Sequence, residues 1–231
     1  MNTKAIILAA GTGSRLGALT RDSHKGLLDI KGTRSLVRLV DMLKTLGVDD
    51  IVVAVGHQKD KIKEALGSRV RYCEFADFSI KNNLHTLWNM KEELAGDALV
   101  LYADLIFEPT VLERALAPTD DISLVIDTSE LRSGSPQVKM ENGLITKIDK
   151  SDSTCNFLGI TKFSQAGAQK LVAEMAILRE HAPNAYYSDA INSLIQKGHA
   201  VAHVDIAGSK WIEIDDPEDL KLAGKLVTEI A

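Results

Sequence analysis

The chain of 231 residues carries 27 Lys and Arg against 32 Asp and Glu, a net charge of -5, with 45% hydrophobic and 26% charged residues. Such a chain buries a core of its own, and no apolar run approaches the roughly 18 residues of a membrane span, so a soluble cytoplasmic protein without a membrane partner is expected. The acidic balance lacks the basic excess that nucleic-acid binding demands, which excludes nucleic acid and directs attention to a small-molecule partner.

Met1-Asn2-Thr3-Lys4 leads straight into an apolar run, without the apolar core and cleavage site of a secretory leader. Short runs rich in Ile and Val then alternate with segments of helical period, the pattern of an α/β fold with a mainly parallel sheet covered by helices. Strands are expected near 5–8, 51–55, 70–75, 98–102 and 122–126, and helices near 35–46, 59–66, 84–94 and 110–116. After Asp127 the pattern turns hairpin-like over 137–163, with Glu141-Asn142-Gly143 as a turn, and reads as a small inserted β layer. Helices return near 165–179 and 188–196, a strand near 201–206, and a last helix starts where Asp216 caps and Pro217 fills the first turn. No repeat or linker divides the chain, so one domain is expected over 1–231. Cys73 and Cys155 lie far apart in apolar stretches and read as small buried hydrophobes, while His57, His181, His199 and His203 read as structural.

Open sheets of this kind bind ligands at the carboxyl ends of their strands. The first expected strand runs into Leu8-Ala9-Ala10-Gly11-Thr12-Gly13-Ser14-Arg15-Leu16. Glycines there let the backbone aim N–H groups at an anion, and Arg15 adds a planar donor fork, so the loop reads as a triphosphate cradle. A P-loop would end in Gly-Lys-Ser/Thr, whereas Gly13 is followed by Ser14-Arg15; the third glycine of a dinucleotide fingerprint comes one place late, at Gly17. Lys25, in His24-Lys25-Gly26-Leu27-Leu28, is placed to bring a charge back over the loop, though taken alone it reads as a solvated surface lysine. Asp104 follows the expected strand 98–102 and would hang over the crevice, or cap the segment before Pro109. Glu213 and Asp215 have the two-residue spacing that points both side chains to one face of a strand.

A first strand entering Leu-Ala-Ala-Gly-x-Gly-x-Arg-Leu, then a Lys followed by Leu-Leu, resembles the nucleotidyltransferase family that makes nucleotide sugars and CDP-linked small molecules. Within it the chain is most similar to the phosphocholine and 2-aminoethylphosphonate cytidylyltransferases. Lys81-Asn82-Asn83-Leu84-His85-Thr86-Leu87-Trp88, Tyr102-Ala103-Asp104-Leu105, Phe157-Leu158-Gly159-Ile160 and Trp211-Ile212-Glu213-Ile214-Asp215-Asp216 extend the resemblance over nearly the whole chain. It departs at His24, where the family usually has Pro, and at Tyr102-Ala103, where the aminoethylphosphonate branch often has an acidic residue and Ser.

The resemblance implies a single Rossmann-like (GT-A-like) domain, with a nucleotide-binding half over 1–127 and an acceptor-binding half over 128–231. It implies transfer of CMP from CTP to a small phosphonate or phosphate acceptor, with pyrophosphate released and Mg²⁺ as cofactor; a homodimer stays open. Leu8, Ala9, Ala10, Gly11, Thr12, Gly13 and Ser14 would wrap the nucleotide, Arg15 the leaving pyrophosphate and Lys25 the α-phosphate. Asp104, Asp215 and Glu213 would hold the metal through hard oxygen ligands. Asn82 and Asn83 could read a pyrimidine edge, yet an Asn pair before a helix is equally a plain N-cap. Tyr187, Asp189 and Trp211 fall where the resemblance places acceptor contacts, and aromatics with a carboxylate suit a cationic amine; the alternative is a helix start with tyrosines packed beneath it. Two rival readings share the constellation: a sugar-1-phosphate nucleotidyltransferase using UTP, GTP or dTTP, and a catalytically silent nucleotide-binding regulator.

Overall fold

Strand β1 (Lys4–Ala9) is built from alternating apolar residues that serve both faces of a sheet: Ala5, Ile7 and Ala9 enter one core, Ile6 and Leu8 the other. In the computed structural model, which describes residues 3–132, 135–149 and 153–230, helix α1 (Ser35–Thr45), strand β2 (Ile51–Val55), helix α2 (Lys59–Leu66) and strand β3 (Arg71–Glu74) follow. Helix α3 (Asn83–Asn89), strands β4 (Ala98–Tyr102) and β5 (Leu105–Phe107), helix α4 (Pro109–Leu116) and strand β6 (Ile122–Asp127) complete the first half. The second half contains a β7 (Gln137–Glu141), β8 (Leu144–Ile148) hairpin, strand β9 (Cys155–Phe163), helices α5 (Gln165–His181) and α6 (Tyr187–Gln196), strands β10 (Ala202–Asp205) and β11 (Trp211–Glu213), and helix α7 (Pro217–Glu229).

One sheet in the order β10-β6-β9-β4-β1-β2-β3 runs through both halves. Along this path the strands are parallel except β9, which lies antiparallel between β4 and β6 and is buried along its whole length, and the β7–β8 hairpin joins the same sheet through β7, antiparallel to β9. Helices α1, α2 and α4 cover one face through Leu36, Leu39, Ile62 and Val111; α3, α5 and α6 cover the other through Leu87, Leu171, Met175 and Ile191. The carboxyl ends of β1, β2, β4 and β6 therefore share one edge of the sheet, where the cleft opens.

The expected β layer is the β7–β8 hairpin, joined through Asn142 and Gly143, both at positive φ as a tight two-residue turn requires. Of the expected span, residues 150–152 lie outside the described ones. The hairpin is fastened to α6 by Asn192, whose amide accepts the Ile148 N–H and donates to the Ile148 carbonyl, each at 2.7 Å.

Four expectations are corrected. The helix expected over 84–94 stops at Asn89, whose amide donates to the Glu74 carbonyl at 3.1 Å, and a separate 3-10 turn follows over Lys91–Leu94. Cys73 is half-buried rather than buried, because β3 is an edge strand. Of the short antiparallel pair β5–β11, the spacing of Glu213 and Asp215 anticipates a strand only on the β11 side, and β5 has no counterpart among the expected strands. Asp215 lies beyond the end of β11, so it does not share a strand face with Glu213.

Candidate active site

The glycine loop leaves β1 and turns at Gly13, whose φ of 63° is left-handed. A side chain there would also sit 3.1 Å from Thr20 Cγ2 and 3.3 Å from Lys25 Cβ, so glycine lets the lysine stem lie against the loop. The Thr20 hydroxyl donates to the Gly13 carbonyl at 3.0 Å and fixes the turn.

Lys25 reaches the site from a 3-10 turn (Lys25–Leu27) seated on the exit of β4. Its ammonium forms an ion pair with Asp104 and lies 3.4 Å from Asp215 Oδ1. Arg15 pairs with the same Asp215 oxygen at 2.7 Å. Burial opposes the charge on Lys25, but the carboxylates of Asp104 and Asp215 outweigh it and hold the ammonium above its ordinary range.

Pairing of β5 with β11 puts Glu213 opposite Leu105, and the Ile214 N–H donates to the Asp104 carbonyl at 3.0 Å. These contacts bring a segment from the end of the chain onto the end of β4. One oxygen from each of Asp104, Glu213 and Asp215 falls within 4.8 Å of the others. Asp104 is 2% exposed, and both Asp104 Oδ1 and Glu213 Oε2 are buried with no hydrogen-bond partner among the described residues. Burial and then the negative charges of Asp104 and Asp215 push the Glu213 carboxyl well above the usual carboxylate range. Buried carboxylate oxygens without donors are costly, and two such oxygens converging with the Asp215 carboxylate are a ligand set that a hard divalent cation would satisfy.

The cleft encloses about 730 Å³. At one end lie Leu8, Ala10, Gly11, Thr12, Gly13, Ser14, Arg15 and Lys25, with the three carboxylates; at the other lie Pro136, Gln137, Ile148, Asp149, Asn184, Tyr186 and Asp189. Residues 5–152 match the family described as the MobA-like NTP transferase domain. The chain belongs to that family. It is 30% identical to the CMP-5'-(3-aminopropyl)phosphonate synthase of Streptomyces rubellomurinus over 95% of this chain, although it spans only 38% of that protein's length. To the CTP:phosphoglutamine cytidylyltransferase of Campylobacter jejuni it is 26% identical, over 94% of this chain and 98% of that one. Its fold matches the structure of the CTP:phosphocholine cytidylyltransferase of Streptococcus pneumoniae with a TM-score of 0.80 at 24% identity, covering 98% and 100% of the two chains. The family and its fold neighbours are nucleotidyltransferases, so the nucleotidyltransferase resemblance and the α/β, Rossmann-like fold both stand.

The residues expected in a MobA-like site divide by location. Arg15, Lys25, Asp104, Glu213 and Asp215 come together, and Asp104 is no helix cap, since Glu108 precedes α4. Ala9 is 1% exposed and faces the core instead of the cleft, as strand alternation dictates. Asn82 and Asn83 both line the cleft. Asn82 donates to the Asn184 carbonyl at 2.7 Å, while Asn83 donates to the Tyr102 hydroxyl at 3.0 Å and accepts the Tyr187 N–H at 2.9 Å, which ties α3 to α6.

On the acceptor side two expectations are corrected. Trp211, 1% exposed, is held opposite Phe107 in β11; its indole N–H donates to Asp127 Oδ2 at 2.7 Å, with the Arg132 guanidinium 4.6 Å above the ring centre. Tyr187 is fully buried, with its hydroxyl 3.2 Å from that of Thr161 and its ring edge-on to Tyr102. Its neighbour Tyr186, half exposed, lines the cleft instead, because the helix begins between them and turns one ring out and the other in. Asp189 does line the cleft, while its carboxylate also accepts the Tyr186 N–H at 2.8 Å as part of the cap of α6. Sequence reasoning left out Ile148, Asp149 and Asn184, which the fold brings to the cleft from segments carrying no motif.

Proposed function

We propose that this protein transfers CMP from CTP to a small phosphonate or phosphate acceptor of the 2-aminoethylphosphonate or phosphocholine type, releasing pyrophosphate with Mg²⁺ as cofactor. The observation that carries the reading is the convergence of Lys25 and Arg15 on Asp104 and Asp215 at the mouth of the glycine loop. The 1–127 half takes the nucleotide and the 128–231 half the acceptor in this reading, within one domain.

An acceptor oxygen, already anionic, attacks the α-phosphorus of CTP; the new P–O bond forms as the bond to the β-phosphate bridging oxygen breaks, and pyrophosphate leaves with that electron pair. No general base is required, so the protein's task is to align two anions that repel each other and to neutralise growing charge. Backbone N–H groups of the loop and Arg15 hold the β- and γ-phosphates, and Lys25 sits against the α-phosphate. Asp104, Glu213 and Asp215 would hold Mg²⁺, which supplies charge neutralisation on the phosphates when bound. Asp149, Asp189 and Tyr186 line the far end of the cleft, and two carboxylates beside an aromatic face suit an acceptor bearing a cationic amine or trimethylammonium group.

The test is pyrophosphate release with Mg²⁺, each of the four ribonucleoside triphosphates and dTTP, against phosphocholine, 2-aminoethylphosphonate, other small phosphonates and sugar-1-phosphates. Turnover with CTP and a small amine-bearing acceptor is expected; turnover confined to a sugar-1-phosphate with another nucleotide overturns the acceptor and base assignment.

A further inference from the structure

We propose that His24 is a positioning residue for Lys25: its imidazole, used as an uncharged hydrogen-bond acceptor, locks the 3-10 turn that delivers the ammonium to the phosphates. The inference rests on the nucleotidyl-transfer reading above.

Two bonds clasp the turn from the same residue. His24 Nδ1 accepts the Gly26 N–H at 3.1 Å, and the His24 carbonyl accepts the Leu27 N–H at 2.8 Å. The turn is pressed between α1 and the residues that link β4 to Asp104, since a Cβ on Gly26 would lie 2.8 Å from the Ala103 carbonyl oxygen and 3.0 Å from Leu36 Cβ. The Ser35 hydroxyl donates to that same Ala103 carbonyl at 2.9 Å. With Gly26 seated there, the freedom left to Lys25 lies in the peptides on either side of it, and the imidazole bond spans both.

The chemistry of the acceptor matters as much as its place. A carboxylate at this position would add another anion beside Lys25 and compete with the phosphates for its charge; a neutral ring nitrogen caps the N–H without doing so. His24 is 1% exposed, and burial, followed by the charges of Lys25 and His57, depresses its pKa to about 3, which keeps the ring neutral near pH ~7. With Nδ1 accepting, the proton resides on Nε2, a buried atom with no partner among the described residues. An orphaned donor weakens the fold, so packing alone would favour an apolar side chain here. The backbone of His24, at φ -80° and ψ 143°, lies close to the range a proline ring imposes; a side-chain hydrogen bond restrains here what a ring would restrain covalently.

The experiment compares wild type, His24→Leu and His24→Asn in pyrophosphate release with CTP and the acceptor found active, alongside thermal unfolding. His24→Leu is expected to lower kcat by about tenfold or more while the KM for CTP moves less than about threefold, and His24→Asn, which keeps a neutral acceptor, to return kcat to within about threefold of wild type. A folded His24→Leu with wild-type kcat, or a His24→Asn as impaired as His24→Leu, overturns the proposal. Imidazole ¹⁵N spectra of the ligand-free wild type give a readout independent of turnover: His24 is expected as the Nε2-protonated tautomer, and a proton on Nδ1 overturns the lock. Should wild type release no pyrophosphate with any nucleotide, the transfer reading fails, and the spectra still decide the lock.

Discussion

The two ends of the cleft are built by different means. The end with Arg15, Lys25 and the three carboxylates draws on one backbone loop after β1, a short turn, and two strand ends stapled together by the β5–β11 pair. The far end is gathered from the β7–β8 hairpin, the start of α6 and the loop carrying Asn184, and its polar groups hold the fold as well as line the cleft: Asp189 caps a helix and the Asn184 carbonyl takes the Asn82 amide. Recognising a triphosphate requires backbone N–H groups and fixed charge, which a local motif provides. Recognising a small acceptor requires shape, which only tertiary assembly provides.

The sharpest way to break this contrast is to remove the charges at the first end. Lys25→Ala and Asp104→Asn are each expected to lower kcat/KM by about 10³-fold, roughly 4 kcal/mol of transition-state stabilisation, measured as pyrophosphate release. Asparagine replaces Asp104 because that side chain is buried, and alanine would confound catalysis with packing. Trp211→Phe separates the corrected residue from the acceptor: losing the indole bond to Asp127 is expected to destabilise the protein by about 1–3 kcal/mol in urea unfolding while leaving the acceptor KM unchanged. A raised acceptor KM would return Trp211 to the acceptor end.

Next in size is a dependence on pH. Because the folded-state pKa of His24 lies near 3, below its ordinary 6.5, the unfolded chain binds the proton first as pH falls. Stability contributed by the neutral ring is fully present above pH ~6.5 and is lost below it at up to about 1.4 kcal/mol per pH unit, a slope that His24→Asn should flatten in urea midpoints taken at descending pH. The smallest effect belongs to the far end, where Tyr186→Ala is expected to raise the acceptor KM about fivefold, near 1 kcal/mol, with the CTP KM untouched. An equal rise in both would mean that the two ends are not separable.

Legibility in the sequence follows the same division. The glycine loop and Asp104 could be read because each follows a strand whose apolar run is unmistakable, whereas Lys25, in a 3-10 turn away from any strand, became legible only together with the loop it serves. The pairing of Glu213 and Asp215 with Asp104 was legible as a set of carboxylates but not as geometry, since β5 and β11 are three residues each, too short for periodicity to register. Tyr186 and Tyr187 differ in fate by a single position at a helix start, a boundary that sequence fixes only to within a few residues. Trp211 illustrates a different limit: an indole that bonds a carboxylate inside the protein looks the same in sequence as one awaiting a ligand.

The place of β9 has a consequence for how the chain is made. It lies between β4 and β6, so two strands synthesised early each offer an open edge until a segment ending at Phe163 has emerged to fill the gap. Through that interval the nascent protein exposes apolar strands such as Ala98-Leu99-Val100-Leu101 with no neighbour on one side, a surface prone to pairing with other chains. Ribosomal pauses before residue 163 would therefore lengthen the period of greatest aggregation risk, and chaperone capture of arrested chains should fall steeply once β9 is free of the exit tunnel.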